Sequence, residues 1–136
     1  MKTEIRNTII VWLILGLFFI VGYFKNSSDG KWTKVVTDVG GNTFYLDFDN
    51  IKKADGFVYF WMLKDLVKPT SRGFFSNTQY LESDCKLFRY KVLSISYYTE
   101  SMGLGTPTQT SNRDTEWRST TPDSVSENIL ISVCNR

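Results

Sequence analysis

The sequence predicts an α+β fold: a mostly stranded domain of about five to six strands, closed by a C-terminal helix and preceded by one N-terminal transmembrane or signal-anchor helix. Three observations predict it. Residues 8–24 carry no charge. Residues 32–99 are rich in β-branched and aromatic side chains with stretches of period-two alternation. Ser124 and Glu127 form a helix-start signature, and apolar residues follow it at helical spacing.

The uncharged run comes first. At about 1.5 Å per residue it reaches roughly 25 Å, against a hydrocarbon core of about 30 Å. That is the lower limit for a transmembrane helix and longer than an ordinary signal-peptide apolar segment. Lys2 and Arg6 stand ahead of it beside Glu4. No small-residue cleavage pattern follows, and no cysteine lies near its end to accept a lipid. The expected organisation is a cytoplasmic segment 1–7, a membrane segment 8–24, a linker 25–31 and an exported domain 32–136. A cleaved signal peptide is the alternative. Either way the protein is expected at the cell membrane, single-pass if uncleaved, with its C-terminal domain in the periplasm or on the cell surface.

Composition excludes several chemistries. There is no histidine, so zinc sets of Cys and His, Cys–His nucleophiles and Ser–His–Asp triads are all out. The two cysteines, Cys85 and Cys134, leave either one disulfide or two buried thiols. Export favours the disulfide, which would stabilise a loop of this size by roughly 4 kcal/mol in the chain-entropy model. Charges beyond residue 24 nearly balance, and Lys52-Lys53 is the one adjacent basic pair, so no nucleic-acid partner is expected. Gly103 and Gly105 lack the third glycine or the lysine of a phosphate cradle, and no cofactor is expected.

The elements follow in order. Trp32 to Thr37 reads as a strand, and Asp38 to Asn42 as a hairpin loop. A second strand places Phe44, Leu46 and Phe48 on one face and Thr43, Tyr45 and Asp47 on the other. Lys53 to Gly56 reads as a turn with an Asp-Gly signal. The third strand, Phe57 to Leu63, is apolar on both faces and calls for cover by a helix, a second sheet or a partner chain. Lys64 to Asn77 is a connection, and within it Phe74 and Phe75 are the candidate partner-binding residues. Thr78 to Thr99 is a long β-rich region. Its apolar phase changes from Phe88, Tyr90 and Val92 to Leu93, Ile95 and Tyr97, which predicts a bulge near Val92-Leu93. Glu100 to Arg113 reads as loop, Thr115 to Arg118 as a short strand, and Pro122 to Cys134 as a helix with Val125, Ile129 and Val133 on one face. The carboxylate pairs Asp47/Asp49 and Glu82/Asp84 are expected on a solvated polar face rather than in acid–base work.

Taken together, these residues resemble the surface-adhesin protein E family of Gram-negative bacteria. Trp32 matches its opening strand, Tyr45-Leu46-Asp47 its aromatic-aliphatic-Asp strand, and Trp61-Met62-Leu63-Lys64-Asp65 its W-x-L-x-D element. Asp84-Cys85 with Arg89, Tyr97-Tyr98 with Met102-Gly103-Leu104-Gly105, Trp117, Pro122-Asp123-Ser124 and Cys134 complete the series in order. The resemblance implies an antiparallel β-sheet packed on the C-terminal helix and tied by a Cys85–Cys134 bridge. It also implies a non-enzymatic domain that binds host matrix proteins and can form a homodimer. The family's named member is an outer-membrane lipoprotein, whereas this chain has an apolar run and no lipid-acceptor cysteine. An accessory protein on the periplasmic side of the inner membrane, without a host ligand, is therefore the alternative.

Overall fold

The computed structural model describes residues 31–112 and 116–136. The expected segments 1–7 and 8–24, and all but the last residue of the linker, lie outside the described residues. Among the described residues no helix is long and apolar enough to cross a membrane.

Eight strands form one antiparallel sheet: β1 (Thr33–Thr37), β2 (Thr43–Leu46), β3 (Lys52–Ala54), β4 (Phe57–Asp65), β5 (Ser76–Asp84), β6 (Arg89–Tyr98), β7 (Gln109–Asn112) and β8 (Arg118–Ser119). The main order is β1-β2-β4-β5-β6-β7. β2 and β3 pair with opposite ends of β4, and β7 and β8 with opposite ends of β6. Eight strands therefore occupy six positions across the sheet. Among the described residues one α-helix, α1 (Val125–Cys134), packs on this sheet.

Several differences from the sequence reading have local causes. The second strand stops at Leu46, and Phe48–Asn50 turns as a 3-10 helix. β3 begins at Lys52 and runs through Ala54, taking the first two residues of the expected turn. The reversal itself is Asp55-Gly56, both at positive φ (54° and 82°), the two-residue hairpin that Asp-Gly favours. The β-rich region from Thr78 to Thr99 divides into most of β5 and the whole of β6. Residues 85–88 break it, because Asp84 Oδ1 accepts the backbone N–H groups of Lys86 and Leu87, and Phe88 takes φ 51°. β7 emerges from the expected loop, and β8 overlaps the expected Thr115–Arg118 strand only at Arg118. The helix starts at Val125 rather than Pro122. Ser124 Oγ accepts the Glu127 N–H at 3.1 Å, and Glu127 returns a carboxylate oxygen to the N–H of Asp123, so the capping pair sets the start.

The expected bulge is present. Tyr80 pairs with Ser94 and Leu81 with Val92, which makes Leu93 the extra residue. It keeps Tyr90 and Val92 on the same side of the sheet as Ile95 and Tyr97.

The core lies between the helix and one sheet face. Phe44, Leu46, Val58, Phe60, Met62 and Leu81 meet Ile129 and Val133 there. The bridge Cys85–Cys134, with Cα atoms 5.7 Å apart, fixes the last helical turn to the end of β5. It resolves the two-cysteine alternatives in favour of the disulfide.

Candidate ligand-binding face

β4 alternates as its sequence demands. Val58, Phe60 and Met62 are buried under α1, whereas Phe57, Tyr59 and Trp61 are half-buried on the opposite face. Leu63 on that second face is fully buried, because the 3-10 turn Ser101–Gly103 folds over it. Asp65 Oδ1 accepts the Met102 N–H at 2.7 Å. Buried Ser76 accepts the Gly103 N–H at 2.9 Å and donates to the Glu100 carbonyl. Gly103 has φ 64°, and a Cβ there would stand 3.3 Å from both Leu63 Cδ1 and Thr78 Cγ2. Glycine lets this turn lie flat on the sheet.

The helix therefore covers one face and the 3-10 turn covers one end of the other. What remains is a band of half-exposed aromatic rings. Trp61 and Tyr80 are 4.8 Å apart between centroids, Tyr59 is 6.3 Å from Tyr80, and Phe57 stacks on Trp117 at 5.7 Å. Arg89 and Lys91 stand 4.6 and 5.0 Å from the Trp117 ring. Burial raises the pKa of the Tyr59 hydroxyl above the usual range, and neighbouring Glu82 raises it further.

The carboxylates of this face are not solvated, contrary to the reading of the two i, i+2 pairs. Glu82 and Asp84 are buried and ion-paired across the strands, to Lys91 at 3.3 Å and Arg89 at 3.2 Å. Strand pairing brings in the counter-charges that make burial tolerable. The N–H of Leu87, with help from Arg89 and Lys86, holds Asp84 below the usual carboxylate range. Asp49 leaves the strand with the 3-10 turn and is exposed, but Asp47 is 1% exposed.

Asp47 sits in an unusual setting. It closes β2, and its N–H donates to the Trp61 carbonyl at 3.2 Å. Asn50 donates from Nδ2 to Asp47 Oδ2 at 2.8 Å, and the Lys31 ammonium is 4.0 Å from the same oxygen. Oδ1 is buried and has no hydrogen-bond partner. A depression of about 290 Å³ opens here, lined by Lys31, Asp47, Asn50, Lys52, Trp61 and Tyr80.

The sequence-predicted contact residues lie elsewhere. Phe74 is buried, its ring 5.1 Å from Tyr97, and Phe75 is half-buried. Thr70 orders this loop by accepting the N–H groups of Gly73 and Phe74. Phe74 is therefore the anchor of the loop. Sequence reasoning missed the Asp47 depression, whose residues come from the segment before β1, the turn after β2, and strands β3, β4 and β5. The local clue was Asp47 three residues before Asn50, a spacing that lets an amide close back on a carboxylate.

Among the described residues no group of three or more His, Cys, Asp or Glu could hold a metal. Sheet, helix, bridge and aromatic face together define a small disulfide-tied scaffold domain. Residues 32–135 match the Surface-adhesin protein E family, and the chain belongs to it. Solved structures of Haemophilus influenzae protein E share the fold. Crystal form II superposes with a TM-score of 0.58 at 20% identity, covering 78% of this chain and 88% of that one. The structure of protein E from non-typeable Haemophilus influenzae gives 0.53 at 20% identity, covering 81% and 79%. No curated protein matches in sequence.

Proposed function

We propose that this protein is a membrane-anchored, non-enzymatic adhesin-type module that captures a protein ligand with its exported domain. The organisation is a cytoplasmic segment 1–7, a membrane segment 8–24, a linker 25–31 and the binding domain 32–136. The observation that carries the reading is the half-exposed aromatic band of Phe57, Tyr59, Trp61, Tyr80 and Trp117 on the sheet face that the helix leaves uncovered. Tyrosine and tryptophan supply large, stiff contact area at low entropic cost, and they are enriched where proteins meet. Phe75, half-buried in the loop that Phe74 anchors, is a further candidate contact. A second copy of the chain competes for the same band, so the free protein forms a weak homodimer.

Capture of solubilised extracellular-matrix protein by cells displaying the full chain tests this. Membrane-impermeant labelling of intact cells is the companion measurement. Labelling and capture together support the proposal. The apolar run 8–24, in place of a lipid-acceptor cysteine, favours a periplasmic accessory protein as the second reading. A domain that is oxidised and exported, yet unlabelled on intact cells and inert toward matrix protein, supports that reading instead.

A further inference from the structure

α1 covers its side of the sheet unevenly. It packs chiefly on β1 and β4, and a cleft of about 340 Å³ is left between its first two turns and strands β5 and β6. The floor is apolar. Phe44, Met62 and Leu81 lie deepest, and half-buried Tyr90 and Val92 continue it outward. Register puts these last two on the helix side, because Leu81 pairs with Val92 and Tyr90 stands two residues before it. Half-buried Val125 and buried Ile129 form the helix wall. The mouth is cationic. Arg118 is exposed, pairs with Tyr90 across β8 and so faces the cleft, and among the described residues it closes no ion pair. Lys64 holds its ammonium 5.2 Å from the ring of Phe44, itself part of the floor, so this charge stays over the cleft. No carboxylate lines it. Asp38, which feels the Lys64 charge, accepts the N–H groups of Gly40 and Asn42, and Glu127 accepts that of Asp123.

We infer that this cleft binds a medium-chain carboxylic acid: one acyl chain with one anionic head. The chain gains by covering the exposed parts of Tyr90, Val92 and Val125. The head meets the Arg118 guanidinium, which takes a carboxylate through two parallel N–H donors, and Lys64 adds a point charge. A cationic amphiphile would face two like charges with no carboxylate to pair. A small hydrophilic anion would gain only a screened attraction at the mouth and leave the apolar floor wet. The volume is at the small end of ligand sites, which suits one chain rather than a two-chain lipid. The cleft is on the helix side of the sheet, opposite the aromatic band. The inference therefore goes beyond the protein-capture reading, and the two stand or fall separately.

The test is a methyl NMR titration of the full-length chain in nanodiscs of zwitterionic lipid, read at Val92 and Val125, with exposed Leu87 as the control for non-specific contact. The probes are octanoate, octanol, octylammonium and acetate. Octanoate is expected to shift Val92 and Val125 saturably and leave Leu87 in place. Octanol and octylammonium are expected to bind roughly tenfold more weakly or worse, and acetate to shift neither valine. Arg118→Glu, an exposed change that spares the core, is expected to weaken octanoate by roughly tenfold while octanol binding and the melting temperature stay the same. No saturable shift with octanoate overturns the inference, as does octanol or octylammonium binding equally well. Octanoate binding unchanged in Arg118→Glu also overturns it, because the head then sits elsewhere. Shifts that reach Leu87 without saturating mean an adventitious amphiphile only. Val92 and Val125 signals that move when the free protein is diluted place a second copy in the cleft, and overturn it too. Selective octanoate binding by a chain that captures no matrix protein removes the protein-capture proposal and leaves this one intact.

Discussion

The two faces of the sheet follow opposite rules. Toward α1 the strands present Phe44, Leu46, Val58, Phe60, Met62 and Leu81, and the helix returns Ile129 and Val133. All are apolar and nearly inaccessible. On the other face, half-buried tyrosine and tryptophan rings stand beside buried, ion-paired carboxylates. The first face has the composition of a core that folds the chain. The second has the composition of a surface that meets something else. β4 contributes to both, one residue in two, which is why it looked apolar throughout.

Matched truncations in β4 probe that contrast most strongly. Phe60→Ala opens a cavity in the closed face and is expected to cost about 3–5 kcal/mol. Its neighbour Trp61→Ala, half-buried on the open face, is expected to cost less than half of that by the area it removes from packing. Chemical denaturation of the two variants compares them. Equal losses would erase the distinction between the faces.

The disulfide sharpens the comparison, because it holds the helix over only one face. Replacing Cys85 and Cys134 together by Ser is expected to cost about 2–5 kcal/mol and to loosen the C-terminal turn of α1 before the sheet. Hydrogen exchange reads this as faster exchange at residues 131–135, with β4 and β5 little changed. Native protein that takes up alkylating reagent at either cysteine without prior reduction would deny the bridge.

Acidification has the smallest effect, and it falls at the turns. Asn42 holds Asp38 below the usual carboxylate range through its side-chain amide, with backbone N–H groups adding to it; the Leu87 N–H does the same for Asp84. A depressed carboxylate stabilises the fold fully above its unfolded pKa of about 3.9, and that contribution is lost as pH falls through the lower folded value. Melting temperature is therefore expected to drop on the acid side of about pH 4, and less steeply in Asp84→Asn than in the parent. An acid limb unchanged by Asp84→Asn would assign the loss to other groups.

How much of this was legible follows from what each segment carries. Phe44/Leu46, the Asp55-Gly56 turn, the phase change at Val92-Leu93 and the Ser124/Glu127 cap were all visible, because each is a local pattern with a local cause. β3 and β7 were not. Lys-Lys-Ala and Gln-Thr-Ser-Asn have no apolar alternation, and they are strands because β4 and β6 offer edges to pair with. β5 was only partly legible. Its first residues, Ser76 and Asn77, fall in the expected connection, yet they and Thr78 are all buried. For Ser76 and Thr78 the cause is the distant turn 101–103, which covers them. The same non-locality hid the candidate site. No window of sequence contains Asp47 together with Trp61 and Tyr80, and the strand register alone sets them side by side.

The central claim is that the open face is where this domain meets its ligand. Hydroxyl-radical footprinting of the full-length chain, alone and bound to captured matrix protein, tests it most directly. The account predicts that oxidation of Trp61, Tyr80 and Trp117 falls on binding while that of Ile131, exposed on the helix, stays the same. Unchanged oxidation of Trp61 and Tyr80 with protection at Ile131, or no matrix protein captured at all, would contradict it.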